Sequence, residues 1–217
     1  MKHFLFVMIS RTDTGMGRLI RFFTADRYNH VSLCLDGNFQ HFVSFARYRQ
    51  DVPLAGGYVT ESAARLRSCG KTMPVRIFKI EICPSDARRL KQLFQIADHT
   101  PLVYNSLGAL LQGCHIHCHI PGAYTCLEFA ETILGKSYPS ISALGDDLEP
   151  WEIYHGDLFQ ILKCPPSVEG PFFQRRGLQK GTYDTLKHFR ILLWRILKLD
   201  RPDDPIADCA LNILPKI

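Results

Sequence analysis

The sequence predicts an α+β domain built on an antiparallel sheet. Three observations point there. Strand-like segments come first and helix-like segments follow in a block, which is the order of α+β folds. The segment 29–35 alternates, with Val31, Leu33 and Leu35 on one side and His30, Ser32 and Cys34 on the other. Asp36-Gly37-Asn38 then marks a turn into a second apolar run, Phe39 to Phe45, so the two runs read as a β-hairpin.

The other elements follow in chain order. Lys2 to Ile9 is an apolar run that reads as a buried strand. It lacks a small-residue cleavage site and is too short to span a bilayer, so a cytoplasmic protein is expected. Thr12-Asp13-Thr14 offers caps for a short helix carrying Leu19, Ile20, Phe22 and Phe23. Gly56-Gly57 is expected to break the chain before Tyr58-Val59-Thr60-Glu61, and Val75 to Ile82 reads as a further strand. Ser85 is expected to cap a helix whose buried stripe is Ala87, Leu90, Leu93, Phe94 and Ala97. Tyr104 to Gln112 reads as a second short helix, Gly113 to Gly122 as a loop, and Thr125 to Leu134 as a helix closed by Gly135. Trp151 to Lys163 is expected to return to the sheet, and Pro165-Pro166 marks a boundary between a main domain, 1–164, and an extension, 165–217.

The bulk numbers exclude several classes. With 217 residues, 46% hydrophobic and 22% charged, the chain can bury a core, which argues against disorder. A net charge of +5 does not by itself call for nucleic acid, and none is expected as a partner. The eight cysteines stand in a long chain without an export signal, so buried thiols are expected rather than a disulfide framework.

One of those thiols has a distinctive setting. Thr125 and Glu128 have the spacing of a capping box, which makes Thr125 the N-cap and Cys126 the first helical residue. Unpaired N–H groups and the positive end of the helix dipole then surround the sulfur, favour thiolate, and supply donors for a developing oxyanion. The bland alternative is an inert buried cysteine. A cysteine nucleophile needs a histidine beside it. Of nine histidines, His30 stands out because it opens an amphipathic strand, although an edge histidine with no such role fits the same pattern.

At these residues the chain resembles a family. Asn29-His30-Val31-Ser32-Leu33 followed by a hairpin, and Thr125-Cys126-Leu127-Glu128-Phe129-Ala130 on a later helix, resemble the circularly permuted branch of the NlpC-type papain-like superfamily. That branch includes the YiiX-like proteins and, more distantly, lecithin–retinol acyltransferase-like enzymes. Gly56-Gly57-Tyr58-Val59-Thr60-Glu61, Tyr104-Asn105-Ser106-Leu107-Gly108 and His155-Gly156-Asp157-Leu158 fit the same order, so the resemblance covers about residues 2 to 164. It implies a permuted papain-like fold with the cysteine helix packed on the sheet. It also implies a cysteine peptidase, amidase or acyltransferase working through a thioester, with Cys126 as nucleophile and His30 as base. A third polar residue is implied on the strand after the histidine strand, and the register offers Ser44 or, on the opposite face, His41. Tyr104 and Thr125 are expected to contact a peptide or lipid substrate. A non-catalytic binding module on the same fold is the alternative.

Two further features are weighed. Cys114-His115-Ile116-His117-Cys118-His119 has zinc-ligand types but no second ligand pair at a usual spacing, so no metal and no cofactor are expected. In the extension, Tyr183, Leu186, Arg190, Leu193, Trp194 and Leu197 recur at helical spacing among basic residues. That apolar stripe is expected to pack on the protein's own domain or on a second copy, with peripheral contact to an anionic membrane as the alternative.

Overall fold

The computed structural model describes residues 2–67, 72–111, 118–162, 172, 177–198 and 203–207. Its centre is a mixed, largely antiparallel open sheet of eight strands. These are β1 (His3–Ser10), β2 (His30–Cys34), β3 (His41–Arg49), β4 (Val52–Ser62), β5 (Pro74–Ile82), β6 (Val103–Tyr104), β7 (Ala123–Tyr124) and β8 (Glu152–Asp157). They lie in the order β7-β6-β4-β3-β2-β1-β5-β8, and only the β6–β7 pair is parallel. The α+β class read from the sequence is therefore observed. The helices are α1 (Gly15–Thr24), α2 (Ala63–Arg67), α3 (Pro84–His99), α4 (Ser106–Leu111), α5 (Cys126–Leu134), α6 (Ile141–Asp147), α7 (Leu158–Ile161) and α8 (Gly177–Ile196).

The apolar run of β1 makes it a central strand, hydrogen-bonded to β2 on one side and β5 on the other. Its alternating side chains enter two cores. Leu5, Val7 and Ile9 join Val31, Leu33 and the buried faces of α3 and α5. Phe6 and Met8 join Cys34, Phe42, Leu66, Ile77 and Leu158 on the other side. The stripe expected on α3 is borne out at Leu90, Leu93 and Ala97.

Several local expectations need correction. Gly56-Gly57 does not break the chain but lies inside β4, an 11-residue strand. A Cβ on Gly56 would collide with the Ala46 carbonyl, and one on Gly57 with the Leu102 carbonyl and the Tyr48 hydroxyl. The glycines therefore permit close approach of backbones. Ser85 is not the cap of α3: Cys83 is the N-cap and Pro84 opens the helix. Proline suits that place because the first helical N–H has no intrahelical acceptor. Tyr104 belongs to β6, not to a helix. The segment expected to return to the sheet supplies strand β8 but then turns into α7 after Asp157, whose carboxylate caps the Phe159 N–H at 3.1 Å; Lys163 lies outside the described residues.

Helix α8 does not cover its apolar stripe with the protein's own domain, one of the two surfaces expected for it. It packs through His188, Leu192 and Arg195, all buried, and not through its apolar stripe. Arg195 donates to the Gly122 and Pro101 carbonyls at 2.7 and 2.9 Å, and His188 Nε2 donates to the Tyr104 carbonyl at 2.8 Å. These bonds supply donors to backbone acceptors in and beside the short strands β6 and β7; the Gly122 carbonyl also accepts the Val103 N–H at 3.2 Å. Tyr183, Leu186, Leu193, Trp194 and Leu197 are exposed instead. Among the described residues no helix is long and apolar enough to cross a membrane.

Candidate active site

Helix α5 begins as the sequence predicts. Thr125 is the N-cap, its hydroxyl accepts the Glu128 N–H at 3.1 Å, and the Glu128 carboxylate accepts the Thr125 N–H at 2.7 Å. The intrahelical ladder starts at Phe129, whose N–H reaches the Thr125 carbonyl, so the Cys126 N–H lies ahead of it. Asn105, wholly buried, braces this start. Its side-chain amide donates to the Cys118 carbonyl at 2.7 Å and reaches the Glu128 carboxylate at 3.3 Å, while its oxygen accepts the Gly108 N–H at 2.8 Å. The cap therefore ties α4, α5 and the chain before β7 together.

His30, the first residue of β2, pairs with Ser10 on β1. Its buried ring lies between two groups. Nε2 is 2.9 Å from Glu61 Oε2, and the Cys126 side chain is near enough to the same ring to help raise its pKa. With Nε2 engaged by the carboxylate, Nδ1 is the ring nitrogen that remains. Cys126 is itself buried at 7% exposure. The two residues lie 96 positions apart in the chain, and packing of α5 against β2 brings them together.

Glu61 orients the ring, and Ser44 does not. The Ser44 hydroxyl donates to the Val31 carbonyl at 2.6 Å, and His41 is exposed. The reason lies in the register. Glu61 stands opposite Phe42 and Ser44 opposite Val59, so the carboxylate comes from β4, one strand further along than the expected position. Glu61 Oε2 also accepts the Ser32 hydroxyl at 2.6 Å, and Oε1 lies 3.7 Å from Arg65 Nε. A buried carboxylate is sustained only when paired and hydrogen-bonded, and this one is both. Burial alone would raise its pKa, but the facing His30, with Arg65 and Ser32, lowers it to about 2. Burial alone would likewise favour the neutral His30 ring. The Glu61 charge and hydrogen bond, with the nearby Cys126 side chain, outweigh it, and the His30 pKa is raised well above its usual 6.5.

A cavity of about 70 Å³ adjoins this cluster, lined by Asn29, His30, Arg47, Glu61, Tyr104 and Phe172 among others. Tyr104, expected from the sequence to meet substrate, is thus at its wall. Burial raises its phenol pKa, and the neighbouring Cys126 adds to that. Thr125 is placed differently. Its hydroxyl and N–H are both committed to the cap, and it is not among the residues lining the cavity. Replacing Thr125 with alanine is therefore expected to act on folding, with a loss of about 1 kcal/mol in urea unfolding.

Of the Cys/His cluster, residues 114–117 lie outside the described residues. Cys118 is half-buried, with its carbonyl held by Asn105, and His119 is exposed with its ring 6.4 Å from that of Tyr124. Among the described residues no three His, Cys, Asp or Glu side chains gather as metal ligands. Neither the family models, the curated proteins nor the solved structures contain a match to this chain.

Proposed function

We propose that the chain is a cysteine-dependent hydrolase or acyltransferase on a circularly permuted papain-like fold of the NlpC type. The observation that carries this reading is the His30 ring held between the Glu61 carboxylate and the Cys126 side chain. Cys126 is the nucleophile, His30 the base, and Glu61 the residue that orients the ring and sustains its charge.

The chemistry follows from these roles. His30 takes the Cys126 proton, and the thiolate attacks the carbonyl carbon of an amide or ester. N–H groups at the start of α5 steady the oxyanion. The C–S bond forms, the C–N or C–O bond breaks, and His30 returns its proton to the leaving group. Water or an acceptor nucleophile then attacks the thioester, His30 accepts its proton, and the C–S bond breaks to restore the thiol. A non-catalytic binding module is the competing reading. The low exposure of Cys126 and the small adjoining cavity favour it.

Reactivity separates the two. Cys83 is exposed, and its sulfur donates to the Asp86 carboxylate at 2.9 Å, away from the His30 base. Iodoacetamide labelling followed by mass spectrometry is expected to modify Cys126 faster than Cys83 despite its burial. Faster labelling at Cys83 would remove the nucleophile from the proposal and leave the binding module.

A further inference from the structure

The outward face of α8 exposes several large apolar side chains. The helix has 20 residues, about 30 Å of length, and it is anchored by His188, Leu192 and Arg195 on its inner side. At 100° per residue, Leu186, Leu193 and Leu197 cluster on the side away from those anchors. Tyr183 and Trp194 flank them, with Phe189 and Ile196 at the opposite margin, and all seven are exposed. Lys180 and Lys187 line up beside the aromatic margin, Lys198 follows just past the helix end at φ 58°, and Arg190 falls within the apolar sector with its guanidinium 6.0 Å from the Trp194 ring. The one acid between 177 and 198 is Asp184.

We infer that this face docks on an anionic lipid surface. Charge decides between the two apolar surfaces that could cover it. A second α8 laid against the first would bring its own lysines and arginine onto those of its partner, a like-charge contact that costs stability. An anionic bilayer meets the same lysines with opposite charge, and their stems let the ammonium groups reach headgroups while the leucines enter the acyl boundary. Tyrosine and tryptophan are the side chains that settle at that level. Because the helix cannot cross the bilayer, it lies flat on it. The inner side of α8 holds the Tyr104 carbonyl through His188, so docking sets the cavity about one helix diameter, roughly 10 Å, from the lipid. The inference stands on the helix surface alone and does not depend on the chemistry of Cys126.

Co-sedimentation of the full chain with phosphatidylcholine vesicles, with and without phosphatidylserine, tests it. The chain is expected to bind the phosphatidylserine vesicles tightly at low salt, to release them as salt rises, and to bind phosphatidylcholine alone far more weakly. Lys180, Lys187 and Lys198 together changed to Gln should weaken binding roughly a hundredfold, at about fivefold per lysine. Leu193→Ser with Trp194→Ser should abolish it. All five side chains are exposed, so both variants should keep the parent melting temperature. In the unaltered chain, bromine-labelled lipid should quench indole fluorescence, which holds the test even if a variant fails to fold. Equal binding to the two vesicle types, or no quenching, would overturn the inference. So would a dimer that binds neither vesicle and dissociates on Trp194→Ser, which would assign the face to a second copy.

Discussion

Changing His30 to alanine is expected to slow alkylation of Cys126 by about 10²–10⁴-fold, the range over which a positioned base acts. The ring is the partner that the Cys126 side chain meets, and its raised pKa keeps it able to carry the thiol proton as imidazolium. Cys126→Ser should form no adduct at that position, which fixes the background. The variant must be compared with its parent under conditions where both are folded, because removing a buried ring also costs packing. Cys83 supplies the internal control, since it lies outside the cluster and its labelling should not change. If Cys126 labels at the parent rate without His30, the histidine is a structural residue and the proposed chemistry fails. Glu61→Gln is a second readout: it removes the charge that raises the His30 pKa, so a ring less able to hold the thiol proton should leave less thiolate and slow Cys126 labelling near neutral pH.

The second large effect is on folding. Glu61→Ala leaves His30, Ser32 and the Arg65 side chain facing a buried site without its carboxylate. Breaking a buried pair by removing one partner costs about 3–5 kcal/mol. The cost should vary with pH in a direction set by both groups. The His30 pKa is raised above 6.5 on folding, so its share is complete below that value and is lost as pH rises through the folded value. The Glu61 pKa is lowered from 4.5 to about 2, so its share is complete above the first value and is lost as pH falls through the second. The penalty of Glu61→Ala is therefore expected to be greatest between about pH 4.5 and 6.5 and to shrink on either side. On the alkaline side a remainder persists, because Arg65 and Ser32 still meet the carboxylate. Urea unfolding of both proteins across pH measures the difference. A penalty independent of pH would show that Glu61 acts through its hydrogen bonds and volume and not through the charge of His30.

Two features of the site were legible locally. The capping box at Thr125 and Glu128 is a four-residue pattern whose hydrogen bonds form within one helical turn, so it survives any tertiary arrangement. The alternation that sends Val31 and Leu33 into one core belongs to the strand itself. Glu61 was written in the sequence among the matching segments but carried no sign of its task. Its role depends on β4 lying beside β3 in a register that puts Phe42 opposite it, and strand register is set by contacts between distant residues. Ser44 was the plausible substitute because it stands on the neighbouring strand. Its hydroxyl was claimed by a backbone carbonyl that only the folded sheet brings near.

Helix α8 shows the same division more sharply. Periodicity marked an amphipathic helix, and a helix of that kind spans the described segment. Which side faces inward was decided elsewhere. The carbonyls of Pro101, Tyr104 and Gly122 take donors from His188 and Arg195, and the helix turned its polar donors toward them. By itself the sequence determined the α+β class, the start of the cysteine helix and the amphipathic character of α8, because each rests on neighbours a few residues apart. The meeting of His30 with Cys126, the choice of Glu61 and the outward turn of the apolar stripe were decided only by the tertiary structure. They depend on hydrogen-bond partners far away in the chain, and no local pattern encodes which distant group will need a donor.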